Sequence, residues 1–187
     1  MVLREEVLHL LKRGEIVALP TESSFALSVS IDSGDLSPLF TRYKVGRSKP
    51  IPVMIGSVDL LTRYVSSIPP LAEGLIERYW PGPLTILFPA KETVPWEIHR
   101  GTGLVGIRIP GFTPLQKLLQ ELGEGVTATS ANLPGEPPIT TITELKKVFP
   151  DLPFWDIVSE TPGGAPSTVV DLSKGKVEIV RPGRIPL

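Results

Sequence analysis

The stretch Thr129-Ser130-Ala131-Asn132-Leu133-Pro134-Gly135-Glu136-Pro137-Pro138 sets two hydroxyls and one amide ahead of a turn stiffened by Gly and Pro. Asn132 is the only asparagine among 187 residues. A carboxamide both donates and accepts hydrogen bonds, which suits a phosphorylated or nucleotide-like ligand. Cations with matching chemistry lie elsewhere in the chain. Lys44, Arg47 and Lys49 share the loop Tyr43-Lys44-Val45-Gly46-Arg47-Ser48-Lys49-Pro50. A solvated basic loop would look the same, but a polyphosphate clamp uses these residue types for charge-assisted hydrogen bonds. Arg108 stands inside the apolar run Val105-Gly106-Ile107-Arg108-Ile109. An arginine there either faces solvent from a sheet edge or reaches a carboxylate or phosphate. Arg181, just before Pro182-Gly183, poses the same choice. Thr21 and Glu22 directly follow Pro20 at the end of a predicted strand, where α/β sheets present ligand groups. A simple turn cap fits those two residues equally well.

Other chemistries lack parts. The chain has no Cys and only two His, His9 and His99, which leaves no thiolate, no disulfide and little for a nucleophilic triad. Neither His has a partner at ligand spacing. Gly101-Thr102-Gly103-Leu104-Val105-Gly106 spells a dinucleotide fingerprint, but a strand follows it where a helix is needed. No phosphate-binding Gly-x-x-x-x-Gly-Lys-Ser/Thr is present. A net charge of −1 and a pI near 6.2 argue against a long nucleic-acid grip. Apolar and charged fractions of 41% and 21% are those of a soluble globular protein. No secretory signal is visible, and the longest apolar runs fall short of a membrane span.

The elements that must position these groups follow from periodicity. Leu3, Val7, Leu8, Leu10 and Leu11 predict a helix stopped by Gly14. Strands are predicted over 16–19, 25–31, 52–55, 84–88, 105–109, 126–129, 168–172 and 176–180, the last two joined as a hairpin through Ser173-Lys174-Gly175. Helices are predicted over 35–43, 57–65 and 70–79, with 89–102 irregular. Thr113, Pro114 and Gln116 read as N-cap, first helical residue and capping box of a helix with Leu115, Leu118, Leu119 and Leu122 buried. Thr141 and Glu144 give a second capping box, ahead of 145–149. Tyr79-Trp80-Pro81-Gly82-Pro83-Leu84-Thr85 reads as an aromatic corner that supports a site. This mixture predicts an α/β fold of mixed α+β character in one domain, 1–187, three layers deep around one twisted mixed sheet.

Read together and in order, several segments resemble the YrdC-like threonylcarbamoyl-adenylate synthase family. They are Pro20-Thr21-Glu22, Lys44 with Arg47 and Lys49-Pro50, Trp80-Pro81-Gly82-Pro83-Leu84-Thr85 and Gly106-Ile107-Arg108-Ile109-Pro110. Ser130-Ala131-Asn132-Leu133-Pro134-Gly135, Pro166-Ser167-Thr168-Val169-Val170-Asp171 and Arg181-Pro182-Gly183 complete the set. The resemblance implies the short form, without the extra C-terminal domain of some relatives. It implies that L-threonine, bicarbonate and ATP give threonylcarbamoyl-AMP and pyrophosphate, with Mg²⁺ entering on the ATP. A threonylcarbamoyl-transferase complex would then modify a tRNA adenosine, in the cytoplasm and away from membranes.

Carried over by motif, Thr21, Arg108, Ser130 and Ser167 face threonine, with Arg108 on its carboxylate. Lys44, Arg47, Lys49, Asn132, Thr140 and Arg181 face ATP in a concave basic site. Lys44, Arg47, Ser130 and Asn132 are the expected catalytic set. The nucleophile belongs to substrate, so the protein must orient anions and neutralise charge developing on phosphate. Two departures stand out. Lys44-Val45-Gly46-Arg47 is one residue longer than the family's Lys-x-Arg. Ser23-Ser24-Phe25-Ala26 replaces the family's Thr-Val-Tyr-Gly and resembles the YciO-like branch, whose activity is less defined. A double-stranded RNA-binding module and a carbamoyl-adenylate chemistry without threonine are the remaining readings that the resemblance carries.

Overall fold

Val7, Leu8 and Leu11 fall on one helical face, and that is the face α1 (Arg4–Lys12) buries. Gly14 ends the turn at φ +73, a conformation that glycine enters without a Cβ clash. The computed structural model describes residues 2–33, 35–44, 46 and 48–187.

The chain then forms a tight antiparallel pair, β1 (Val17–Pro20) and β2 (Phe25–Ser28), with Pro20 opposite Phe25 across a four-residue turn. A π-helical stretch, Leu39–Tyr43, leads to Lys44. β3 (Val53–Met54) and α2 (Leu61–Tyr64) follow, then α3 (Pro70–Tyr79), β4 (Leu84–Pro89), α4 (Trp96–His99), β5 (Leu104–Arg108) and α5 (Thr113–Leu122). β6 (Val126–Thr127), β7 (Thr129–Ser130), α6 (Ile142–Val148), β8 (Thr168–Asp171) and β9 (Glu178–Arg181) complete the order.

The α/β class and the layering match the expectation, but the single mixed sheet is two sheets. The smaller is antiparallel, in the order β1-β2-β7, and the larger is mixed, in the order β6-β3-β5-β4-β8-β9. Within the larger, β3 runs parallel to β5 and β4 parallel to β8. The run 126–129, expected as one strand, divides between them. Val126 and Thr127 pair with β3, whereas Thr129 pairs with Leu27 and Ser130 with Ala26. Ala128 sits at the switch, its N–H donating to the Pro52 carbonyl at 2.7 Å. This crossing carries the chain from the large sheet to the small one just before Asn132.

Three layers follow from strands buried on both faces. Val17 and Leu19 join a core with α1 and the α5 leucines 115, 118, 119 and 122. Ala18 points the other way, into a core with Phe25, Leu27, Ile86, Phe88 and Ile107. Burying each such leucine contributes about 1.5–3 kcal/mol, which makes the α5 stripe a principal anchor of the first core.

Local departures have local causes. Phe112, not Thr113, is the N-cap of α5, and no side chain caps it; Thr113 already has helical geometry with Pro114 behind it in the first turn. Thr141 does cap α6, its Oγ1 accepting from the Glu144 N–H at 3.2 Å. The span 57–65 starts as a 3₁₀ turn, Val58–Leu60, before α2, and the span read as irregular contains the short α4. The last two strands form the expected hairpin, with Gly175 at φ +71 in its turn. No described helix is long and apolar enough to cross a membrane.

Candidate active site

A cleft of about 200 Å³ opens where the β1–β2 turn, the end of β5, the β7 exit and the segments around Ser167 and Arg181 meet. Its wall includes Thr21, Ser23, Ser24, Arg108, Ser130, Asn132, Ser167 and Arg181.

The first wall is the β1–β2 turn. Thr21 is almost fully buried. Its hydroxyl donates to the Ser24 carbonyl at 2.8 Å and accepts from the Ser23 and Ser24 N–H groups at 3.2 and 3.3 Å. The hydroxyl thus closes the turn upon itself, and Ser23 and Ser24 join the cleft wall. Glu22, inside the turn, forms an ion pair with Arg108. Both side chains are largely buried, at 14% and 8% exposure. Arg108 sits opposite Met54 in the parallel β3–β5 pair and donates from Nη2 to the Met54 sulfur at 3.5 Å. The arginine inside the apolar strand therefore reaches a carboxylate, one of the two options its position allowed.

The second wall joins the basic loop to the lone asparagine. Lys44 is only 6% exposed and follows the π-helical stretch, its own N–H donating to the Leu39 carbonyl at 2.9 Å. Its Nζ donates to Asn132 Oδ1 at 2.6 Å and to the Asn132 carbonyl at 3.2 Å. Asn132 Nδ2 donates to the Glu136 carbonyl at 2.8 Å, which fixes the orientation of the amide. The Leu133-Pro134-Gly135 turn, with Gly135 at φ +86, brings Glu136 back to that position.

The third wall comes from the C-terminal hairpin. Arg181 forks onto Ser167, with Nη2 donating to the carbonyl at 2.7 Å and to Oγ at 2.9 Å. Ser167 Oγ also lies 2.9 Å from Thr85 Oγ1, tying the wall to β4. Arg184 donates to the Glu22 carbonyl at 3.0 Å and to the Gly163 carbonyl, bridging the C-terminus to the first wall. Thr140 lines an adjoining hollow that shares Ser23, Ser24, Ser130, Pro138 and Pro166 with the main cleft.

Of the ten expected residues, Thr21, Arg108, Ser130, Asn132, Ser167 and Arg181 line one cleft. Lys44 is bound to it through Asn132, and Thr140 lies in the neighbouring hollow. Lys49 is exposed and is not part of the cleft wall; Arg47 lies outside the described residues. Within the concave basic site expected from the sequence, the Arg108 charge is matched by Glu22. Ser23, Ser24, Thr85 and Arg184 were not among the expected site residues. For the two serines a signal existed: a four-residue turn after Pro20 must present all its side chains at one strand end. Arg184 carried none. Among the described residues no group of three or more His, Cys, Asp or Glu could hold a metal ion.

The Sua5/YciO/YrdC family model, described as telomere recombination, matches residues 9–183. A threonylcarbamoyl-AMP synthase from Pyrococcus abyssi is 32% identical over 183 residues, covering 95% of this chain and 53% of the relative. A threonylcarbamoyl-AMP synthase from Bos taurus is 36% identical over 184 residues, covering 92% of this chain and 65% of the relative. The chain therefore spans about half of the first relative and just under two thirds of the second. Among solved structures, P. abyssi Sua5 complexed with L-threonine superposes with a TM-score of 0.91 at 30% identity, over 98% of this chain and 55% of that one.

Proposed function

Because the chain belongs to the Sua5/YciO/YrdC family, we propose that it is an L-threonylcarbamoyladenylate synthase, a nucleotidyltransferase acting on L-threonine, bicarbonate and ATP. One observation carries the reading: hydroxyl, amide and guanidinium groups from four distant parts of the chain converge on one cleft.

The chemistry asks little of protein nucleophiles. The threonine amine condenses with bicarbonate, losing water, to give a carbamate. A carbamate oxygen then attacks the α-phosphorus of ATP. The bond from that phosphorus to its bridging oxygen breaks, and pyrophosphate leaves with the electron pair. What the chain must supply is orientation and charge. Arg108 holds the threonine carboxylate, while Thr21 and Ser167 border the same pocket. Ser130 and Asn132 stand between amino acid and nucleotide. Lys44, Arg181 and Thr140 face the nucleotide, and Arg47 and Lys49 are assigned to its phosphates as further cations. Mg²⁺ bound to the ATP would supply neutralisation of phosphate charge. The product is a mixed anhydride, which an amine acceptor such as a tRNA adenosine consumes through a separate transferase.

Pyrophosphate release from MgATP tests this. Release that requires both threonine and bicarbonate is the expected result. Release indifferent to threonine would point to carbamoyl-adenylate chemistry, and absence of release to a non-synthase role.

A further inference from the structure

The Glu22–Arg108 pair has more capacity than it uses. Both side chains are withdrawn from solvent, at 14% and 8% exposure. A buried ion pair repays its desolvation only when its remaining donors and acceptors find partners. Here they do not. Glu22 Oε2 is buried and has no hydrogen-bond partner among the described residues. Arg108 donates from Nη1 to Glu22 Oε1 and from Nη2 to the Met54 sulfur, a weak acceptor. A guanidinium has five N–H groups, so donors remain over.

The pair is not free to drift. The Thr21 hydroxyl closes the turn around Glu22, and Arg184 grips the Glu22 carbonyl at 3.0 Å. Arg108 is fixed by the β3–β5 ladder. An unfilled carboxylate oxygen and an under-used guanidinium are therefore held side by side, and Arg108 opens onto the cleft.

We propose that Glu22 is a substrate-binding, specificity-determining residue: it takes the α-ammonium of the amino acid whose α-carboxylate Arg108 takes. The inference rests on the amino-acid-using reading above and deepens it. The paired site is neutral and so is an α-amino acid zwitterion. Its ammonium supplies donors to the unfilled carboxylate oxygen, and its carboxylate supplies acceptors to the guanidinium. A 2-hydroxy acid of the same shape offers the carboxylate but no cation. Its hydroxyl gives the open Glu22 oxygen one neutral donor in place of a cation, so the bound acid adds a net negative charge to the site, and the site disfavours it.

Calorimetry without ATP separates the outcomes. The ligands are L-threonine and 2,3-dihydroxybutanoate of matching stereochemistry, in which a hydroxyl stands for the ammonium. The wild-type protein should prefer threonine. Glu22→Gln keeps the size and a hydrogen bond to Arg108 but removes the charge. It should weaken threonine binding on the order of tenfold or more while leaving the hydroxy acid unchanged or improved. Glu22→Asp, which keeps the charge, should retain the preference for the amino acid. Equal weakening of both ligands in Glu22→Gln would mean that Glu22 only positions Arg108, and unchanged threonine affinity would mean that it does not touch the substrate; either overturns the proposal. If Glu22→Gln is unfolded by circular dichroism, Glu22→Asp decides, and loss of its preference overturns the proposal. A wild-type protein that binds neither ligand overturns it as well, together with the amino-acid reading. Discrimination that persists in a protein releasing no pyrophosphate would sink the synthase reading and leave this one standing.

Discussion

The Lys44 ammonium donates to Asn132 Oδ1 at 2.6 Å, across 88 residues of chain. The same nitrogen reaches the Asn132 backbone carbonyl at 3.2 Å, and the Asn132 amide nitrogen is held by Glu136. The expected phosphate cation and the expected amide ligand are thus one unit. Asn132 aims the lysine, and the lysine joins the basic loop to the cleft.

Asn132→Ala should therefore separate activity from folding. Losing a hydrogen bond to a charged group costs about 1.5–3 kcal/mol of stability, which a domain of this size tolerates. Adenylate formation should fall much further, on the order of 10²–10³ in rate, as when one electrostatic contact to a transition state is lost. A thermal melt and a turnover assay on the same preparation check both halves. Near-normal turnover would remove Asn132 from the machinery.

Ser167→Ala should act on two neighbours at once. Its hydroxyl accepts from Arg181 in a part-buried contact and lies 2.9 Å from the Thr85 hydroxyl in a buried one. Removing it leaves Thr85 without that partner and costs about 1–3 kcal/mol by urea denaturation. Arg181 keeps the Ser167 carbonyl at 2.7 Å, so the fork should loosen rather than leave. The KM for threonine should rise more than kcat falls.

Gly183→Ala should damage the same wall from outside. An added Cβ would lie 2.5 Å from the Ser167 carbonyl carbon and Thr168 nitrogen, and closer still to the Pro166 carbonyl oxygen. Backbone cannot yield as a side chain can, so the segment carrying Ser167 must move. About 1–3 kcal/mol of overpacking cost is expected, with weaker threonine binding. Denaturant midpoints and calorimetry read the two effects.

Tyr64 gives a pH dependence with a definite sign. Burial, then the hydrogen bond it donates to Asp32, holds its phenol well above the ordinary tyrosine range. The unfolded chain therefore loses this proton first. Its contribution is complete below about pH 10, the unfolded value, and is lost as pH rises from there towards the folded value. The slope attributable to it approaches about 1.4 kcal/mol per pH unit. Tyr64→Phe should flatten that part of the stability profile. It should also lower stability near neutrality, because the Gly125 N–H, now 2.6 Å from the phenol oxygen, loses its acceptor. Stability curves of both proteins from pH 7 to 11 provide the check, and parallel curves would contradict it.

Much of this fold was legible because its elements carry periodic apolar faces. Leu115, Leu118, Leu119 and Leu122 spell one stripe, and all four are buried. The division of 126–130 between two sheets was not legible. Alternation tells which side a residue faces, not which strand it pairs with, and Ala128 marks the switch only through its bond to Pro52. Thr113 looked like a cap because the residue types fit, yet the helix begins so that Phe112 takes the flanking position. Within the site, residue identity was readable and partnership was not. Arg108 needed either solvent at a sheet edge or an anion; that Glu22, 86 residues away, supplies the anion depends on two sheets meeting. The fork of Arg181 on Ser167 likewise exists only once β9 has folded back on β8.

In the proposed reaction, this cleft joins the carbon of bicarbonate to the amino group of threonine and the phosphate of AMP. Carbon-labelled bicarbonate follows it directly. With MgATP and threonine present, label should appear in an AMP-containing product, with one pyrophosphate released for each label incorporated. Omitting threonine should abolish incorporation. Label that enters the adenylate without threonine, or pyrophosphate released without label incorporated, would contradict the account.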